Sequence, residues 1–358
     1  MSLDANGVHR QAPITVYSTC PPYSPEIPDY PGRVAETARW SERHGCRGTL
    51  VYTDNSMLDP WLVSQIVLQS TDRLRPLVAV QPVYMHAYSV AKMITSLHRL
   101  CGRGVDLNLV AGGFKQDLEA LDDATPHDRR YERLIEYAHV VRELLSSEAA
   151  VTHEGAFHTV RNLRLSPPLP AEEMPHITVS GSSEAGLAAA RALDALAVQY
   201  PDPRLERTPL AAPQGVGLGI RVGIVAREDE TEAWAVARTR FPPDRRGQLV
   251  HRLAMNVSDS VWHRQLSEAS AEAPPDSPYW MVPFENYKTF CPYLVGTHER
   301  IASVIAFYLR GGYTTFILDV PFAEEDAANA VVVFDMARQM VAGGEGTVAP
   351  AADPAARA

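Results

Sequence analysis

Short apolar runs alternate along this chain with longer stretches whose apolar residues recur every third or fourth position, a pattern that predicts repeated strand–helix units. The runs fall at 14–18, 48–52, 77–81, 105–110, 177–180, 195–199, 220–227 and 314–319. The helical stretches fall at 33–43, 61–70, 89–100, 184–193, 231–239, 297–310 and 325–340, with Val90, Met93, Ile94 and Leu97 sharing one face of the third. A further helix is expected to start at Thr125 as N-cap, with Pro126 in its first turn, and to carry Tyr131, Leu134, Ile135, Ala138, Val141 and Leu145 on its buried side. Eight strands alternating with about eight helices predict an α/β fold, a (β/α)8 TIM barrel spanning 1–342 as one domain.

Two segments break the alternation. Residues 151–160, with Glu154-Gly155 as a turn, read as a small β-hairpin on the surface. Residues 241–295, punctuated by Pro242, Pro243, Pro274, Pro275, Pro278 and Pro283, read as an irregular insertion before the eighth strand. Long irregular segments in compact domains usually serve function, so this one is expected to act as an active-site lid. Alanine, proline and glycine dominate 343–358, which predicts a disordered tail.

With 46% hydrophobic residues, 21% charged and a net charge of −10, the composition is that of an ordinary soluble globular protein. The acidic balance argues against a nucleic-acid partner, since no basic cluster exceeds Arg129-Arg130 or Arg245-Arg246. No run of eighteen apolar residues is present, and the first thirteen residues lack a signal-peptide pattern, so a cytoplasmic protein away from membranes is expected. Cys20, Cys46, Cys101 and Cys291 are scattered, and the histidines show no H-E-x-x-H spacing, so neither disulfides nor a metal site is expected. Gly215, Gly217 and Gly219 mimic a nucleotide loop but lead into a strand.

Candidate chemistry gathers where strands run into glycine-bearing loops: Asn108 to Gly113 after the fourth strand, and Val179-Ser180-Gly181-Ser182-Ser183-Glu184 after the fifth. Ligands of parallel barrels bind at these strand ends. Ser182 and Ser183 would place two hydroxyls and free backbone N–H groups at a helix N-terminus, a ready phosphate site, although serines there also serve simply as caps. Tyr287, Lys288 and His298 are the polar candidates around the insertion, and Tyr84, His86 and Tyr88 follow the third strand.

The order of these motifs resembles the bacterial luciferase-like flavin monooxygenases, within them the alkanesulfonate monooxygenase branch. The resemblance rests on Asp59-Pro60-Trp61-Leu62-Val63, the stretch from Arg73 to Ala79, Asn108 to Gly113, His127-Asp128-Arg129-Arg130-Tyr131-Glu132, Val179 to Glu184 and Gly219-Ile220-Arg221. It implies a barrel that takes reduced FMN from a separate flavin reductase, reacts it with O2 and oxygenates a small organic substrate, commonly as a dimer or tetramer. It further implies that Ser180, Gly181, Ser182 and Ser183 hold the FMN phosphate with Arg130 and Tyr131, and that Asn108, Tyr52, Asp54, Asn55 and Gln81 surround the flavin ring. Arg221, Tyr287 and Lys288 join Asn108 as candidates for catalysis.

Departures from the sulfonate enzymes concern the substrate side. Their cysteine after the second strand is Met57 here, their histidine two positions beyond Arg221 is Gly223, and their tyrosine after the eighth strand falls at Val320. A sulfonate needs several cationic or hydroxyl donors, so an alkanesulfonate is not the expected substrate. Two other readings remain at this point: hydride transfer with a reduced deazaflavin, and a flavin-binding companion subunit without turnover of its own.

Overall fold

The computed structural model describes residues 14–112, 115–201, 215–249, 251 and 277–343. Eight parallel strands close into a barrel: β1 (Thr15–Thr19), β2 (Gly48–Val51), β3 (Arg75–Val80), β4 (Asp106–Val110), β7 (Ile177–Ser180), β8 (Leu196–Gln199), β9 (Gly217–Arg227) and β12 (Tyr313–Leu318). β12 pairs with β1 and closes the ring. The antiparallel pair β5 (Val151–Glu154) and β6 (Thr159–Leu163) is the hairpin that the Glu154-Gly155 turn foretold.

The helices are α1 (Tyr30–Arg43), α2 (Pro60–Ser70), α3 (Ala87–Cys101), α4 (Lys115–Ala120), α5 (His127–Ser146), α6 (Glu184–Ala192), α7 (Glu230–Arg240), α8 (His298–Arg310) and α9 (Glu324–Ala342). Their starts are chemically marked. Asp59 accepts from the N–H groups of Trp61 and Leu62 ahead of Pro60, and Thr297 accepts from the N–H of Arg300. The expected Thr125 cap does not form. Pro126 takes the cap position without a side-chain bond, while the Thr125 hydroxyl donates to Asp123 Oδ1 at 2.6 Å. The carboxylate, held by Arg133 at 2.7 Å, is the stronger acceptor and draws the threonine away from the helix.

Side chains alternate across the barrel wall with the period of two that strands impose. Val78, Val80, Leu107, Leu109, Ile177, Val179, Ile220, Val222 and Phe316 belong to one large core with helix residues such as Ile94, Leu134 and Ile305. Residues of the opposite parity, Tyr17, Leu50, Leu77, Val198 and Ile317, pack with one another inside the barrel. At the N-terminal end of β4, fully buried Asp106 accepts from Tyr17 Oη at 2.7 Å, Arg47 Nε at 2.9 Å and the His176 N–H at 3.0 Å.

The insertion is more regular than expected. Its described part holds a helical turn at 245–249, β10 (Tyr279–Trp280), a single turn at Val282–Glu285 and β11 (Tyr293–Thr297). Strand β9 pairs with β12 along one edge and is long enough to serve two partners along the other. Its first half pairs with β8, from Gly217↔Leu196 to Ile220↔Gln199, and its second half with β11, from Gly223↔Tyr293 to Arg227↔Thr297. Residues 252–276 of the expected lid and the expected tail beyond Gly343 lie outside the described residues.

Candidate active site at the barrel mouth

Strand parity brings Tyr52, Gln81, Asn108, Ser180, Tyr200 and Arg221 to the inner side of the C-terminal barrel end. Asn108 is buried, and its Oδ1 accepts from Thr178 Oγ1 at 2.8 Å and Ser180 Oγ at 2.9 Å. Two hydroxyls thus fix the carboxamide and leave its NH2 to serve as a donor. Gln81 Nε2 donates to Tyr84 Oη at 3.3 Å, and burial pushes the Tyr84 phenol up to about 12, so the hydroxyl stays protonated. Between the ends of β2 and β3 and the start of α2 lies a cavity of about 250 Å³, lined in part by Asp54, Asn55, Met57, Trp61, Gln81 and Tyr84. Asp54 is engaged within its own loop by Ser56, and exposed Asn55 bonds across to Asp117 of α4.

The loop after β7 runs from Gly181 to Ser183 into the N-terminus of α6. Gly181, at φ +151°, sits against the Tyr131 hydroxyl so closely that a Cβ there would overlap it. Tyr131 is therefore part of the loop's wall although it is buried. Its chain neighbour Arg130, also buried, passes beside Gly112 at the end of β4. Adjacent positions on α5 thus reach two neighbouring loops. Ser183 caps α6 by accepting from the Gly186 N–H at 3.1 Å. The cap and phosphate readings of Ser183 are compatible, because an accepting hydroxyl still has its own proton to donate.

The opposite side of the mouth holds a polar cluster that the sequence did not announce. The Arg221 guanidinium lies 5.3 Å from the Tyr52 ring centroid, and that ring meets Phe290 edge-on at 5.8 Å. Burial opposes the charge on Arg221, but Tyr200, Cys291, Asp319 and Tyr52 around it outweigh that cost and hold it protonated. Asp319, just past β12, accepts at Oδ2 from Thr289 Oγ1 at 2.6 Å and Tyr293 Oη at 2.8 Å. Burial, with Asp319 alongside, raises the Tyr293 phenol well above its ordinary range, so it remains a donor. Gly223 is the residue that admits Tyr293, because a Cβ on it would overlap the ring. Where the sulfonate enzymes carry a histidine, this chain carries the flat face on which Tyr293 rests.

The insertion candidates separate. Tyr287, at φ +57°, packs between His251 and Phe290, and burial together with the charges of Asp54 and Asp117 raises its phenol. It belongs to the mouth. Lys288 faces outward and pairs with Asp244 at 3.0 Å, so the structure does not bring it to the other candidates. His298 bonds Asn329 of α9 at 2.7 Å, and His86 caps α3. Tyr200, Thr289, Tyr293 and Asp319 were missed. For Tyr200 and Asp319 the signal was present, since the first follows and the second ends a recognised strand, at the inward parity of Val198 and Ile317.

The profile of the luciferase-like monooxygenase family matches residues 8–315. The 4-(gamma-L-glutamylamino)butanoyl-[BtrI acyl-carrier protein] monooxygenase BtrO of Niallia circulans is 36% identical over 295 residues, covering 81% of this chain and 86% of that protein. Riboflavin lyase RcaE, solved with modified FMN and riboflavin, superposes with a TM-score of 0.66 at 15% identity, over 94% of each chain. An F420-dependent secondary alcohol dehydrogenase in complex with an F420–acetone adduct gives 0.63 at 16% identity, over 91% of this chain and 99% of the other. At such identities the two structures speak for the fold alone. Among the described residues no helix is long and apolar enough to cross a membrane. The family match over most of the length, the curated relative and the eight-stranded barrel agree, and this chain belongs to the luciferase-like monooxygenase family.

Proposed function

We propose that this protein is a two-component monooxygenase that receives reduced FMN from a separate reductase and uses O2 to oxygenate an organic substrate. The observation that carries the reading is the Gly181–Ser183 loop at the start of α6, walled by the Tyr131 hydroxyl. Hydroxyl donors, the N-terminal end of a nine-residue helix and the neighbouring Arg130 suit a phosphate dianion. Reduced FMN, when bound, supplies the electrons that activate oxygen. Ser182 and Ser183 bind its phosphate, while Asn108 and Gln81 offer amide donors to the polar edge of its ring. Tyr52, Phe290 and Tyr287 form an aromatic wall that keeps water from the reacting centre. Arg221 presents a cation to an acceptor group of the substrate. That substrate, by kinship with the curated relative, is an acyl chain presented on a carrier protein, and an alkanesulfonate is not expected.

Flavin fluorescence quenching tests the reading. The Ser182→Ala/Ser183→Ala double variant should bind FMN at least tenfold more weakly, about 1.4 kcal/mol, with thermal unfolding lowered only by the loss of the Ser183 cap, about 1 kcal/mol. Identical FMN titrations for the two proteins would end the FMN assignment. Binding of a deazaflavin without FMN binding would move the protein to the hydride-transfer reading, which the F420-dependent neighbour's fold keeps in view.

A further inference from the structure

Between the barrel wall and the helices α1 and α9 runs a slot of about 240 Å³. Ile14, Val16 and Leu318 line it from the strand side, and Ala327, Ala330, Val331 and Phe334 from one face of α9. Its lining on α9 extends from Asp326 to Arg338, about 18 Å at the helical rise. Small residues hold it open, Ser18, Ser41 and Gly45 together with the two alanines. Close-packed interiors seldom keep a void of this size. The lower end, beside exposed Gly45 and partly exposed Arg338, opens to solvent. The upper end reaches Tyr293 and Asp319, and the Asp319 charge acts on Arg221 and Tyr52 of the mouth.

The polar groups of the slot are already engaged with one another. Arg240 bonds Asp326 at 2.7 Å, Ser41 Oγ donates to Ser18 Oγ at 2.7 Å, and Tyr293 donates to Asp319 at 2.8 Å. At the lower end His44 meets Glu324 at 3.3 Å and Arg338 meets Asp335 at 2.6 Å. Among the described residues, no buried side-chain polar atom left without a partner lines the slot. A charged or hydrogen-bonding ligand would lose its hydration there for little return. We propose that the slot is the entry path of dioxygen to the barrel mouth. The proposal rests on the monooxygenase reading of the mouth and adds the route by which its gaseous co-substrate arrives. Dioxygen is small, apolar and uncharged, so it enters such a slot without leaving a polar group unanswered, whereas water finds little to bond. The mouth is walled against water by Tyr52, Phe290 and Tyr287, and a separate apolar entrance admits oxygen where water is kept out. Tyr293 and Asp319 stand at the junction, and a diatomic molecule needs only a transient side-chain displacement to pass them.

Methyl NMR of the full-length, flavin-free protein under oxygen pressure tests the occupancy of the slot. Ala330 and Ala195 are each 6% exposed, and only the first lines it. Paramagnetic broadening of the Ala330 methyl signal should exceed that of Ala195 by about threefold. Ala330→Leu, which fills the slot, should slow the reoxidation of bound reduced FMN by dissolved oxygen by about fivefold, with flavin affinity unchanged. Equal broadening of the two alanines overturns the path, and so does an oxygen rate that filling leaves unaltered. If the leucine variant fails to fold, Ala330→Val and the wild-type broadening decide. FMN quenching on the same samples separates the outcomes: wild type without flavin binding removes the proposed function, whereas intact flavin binding with an unaltered oxygen rate removes the path alone.

Discussion

The two ends of the barrel interior handle charge in opposite ways. At the N-terminal end, Asp106 is inaccessible to water, and its carboxylate is bonded by Tyr17, Arg47 and a backbone N–H, with Arg75 nearby at 3.6 Å. At the C-terminal end, Asp319 accepts from Thr289 and Tyr293, while Arg221 lies over the Tyr52 ring with its buried Nε–H lacking an acceptor. A carboxylate already bonded on both oxygens has little left for a ligand, whereas a guanidinium resting on an aromatic face keeps N–H donors to offer. The barrel interior therefore carries a closed polar network at one end and an arginine with an unanswered donor at the other.

Removing the closed network should have the largest effect. Asp106→Ala leaves Arg47 facing a void without its counter-charge and Arg75 with Glu173 alone, and urea unfolding should show a loss of about 3 to 5 kcal/mol. A loss under about 1 kcal/mol would mean that the lower network is ornamental and the contrast between the two ends false. A smaller effect is expected at Asp123, which anchors the entry to α5 and so the placement of Arg130 and Tyr131. Burial alone would raise its carboxyl, but bonds from Arg133 and Thr125 bring it from 3.8 down to about 2. The folded form thus holds the charged state more firmly than the unfolded chain does. That contribution, about 2 kcal/mol, is fully present above pH about 4 and disappears as pH falls towards 2. Asp123→Asn should remove this segment of the acid-stability profile and leave the profile above pH about 5 parallel to wild type. The smallest effect belongs to Lys288, whose partner Asp244 is solvent-accessible. Lys288→Ala should shift neither the melting temperature nor FMN affinity measurably. A marked loss of flavin binding would return Lys288 to the mouth and redraw its boundary.

The barrel was legible because parallel strands covered by helices on one side and packed on the other write long apolar runs, and all eight were found in order. The placement of candidate residues was legible where local spacing marks an element's end, as in Ser182 and Ser183 before α6, or Asn108 in β4. It was illegible where partners meet only through closure of the fold. Nothing in the run from Thr289 to Tyr293 reveals that both hydroxyls converge on Asp319, some thirty residues on. Strand β11 was hidden for a related reason. Five residues after Pro292 are too few to show alternation, and their pairing with β9 is a tertiary event. Thr125 shows the converse error, a correct local preference overruled by a stronger neighbouring acceptor.

Strand β9 carries a consequence for how such a barrel diversifies. The chain departs from the wall through α7 and returns through β11, and α7 packs against β9 and β11 alike. Both ends of the excursion are therefore moored to one strand, so whatever lies between them can lengthen, shorten or be exchanged without shifting the register of the eight-stranded ring. A graft of this excursion from a relative should carry selectivity with it while the recipient scaffold stays as it was.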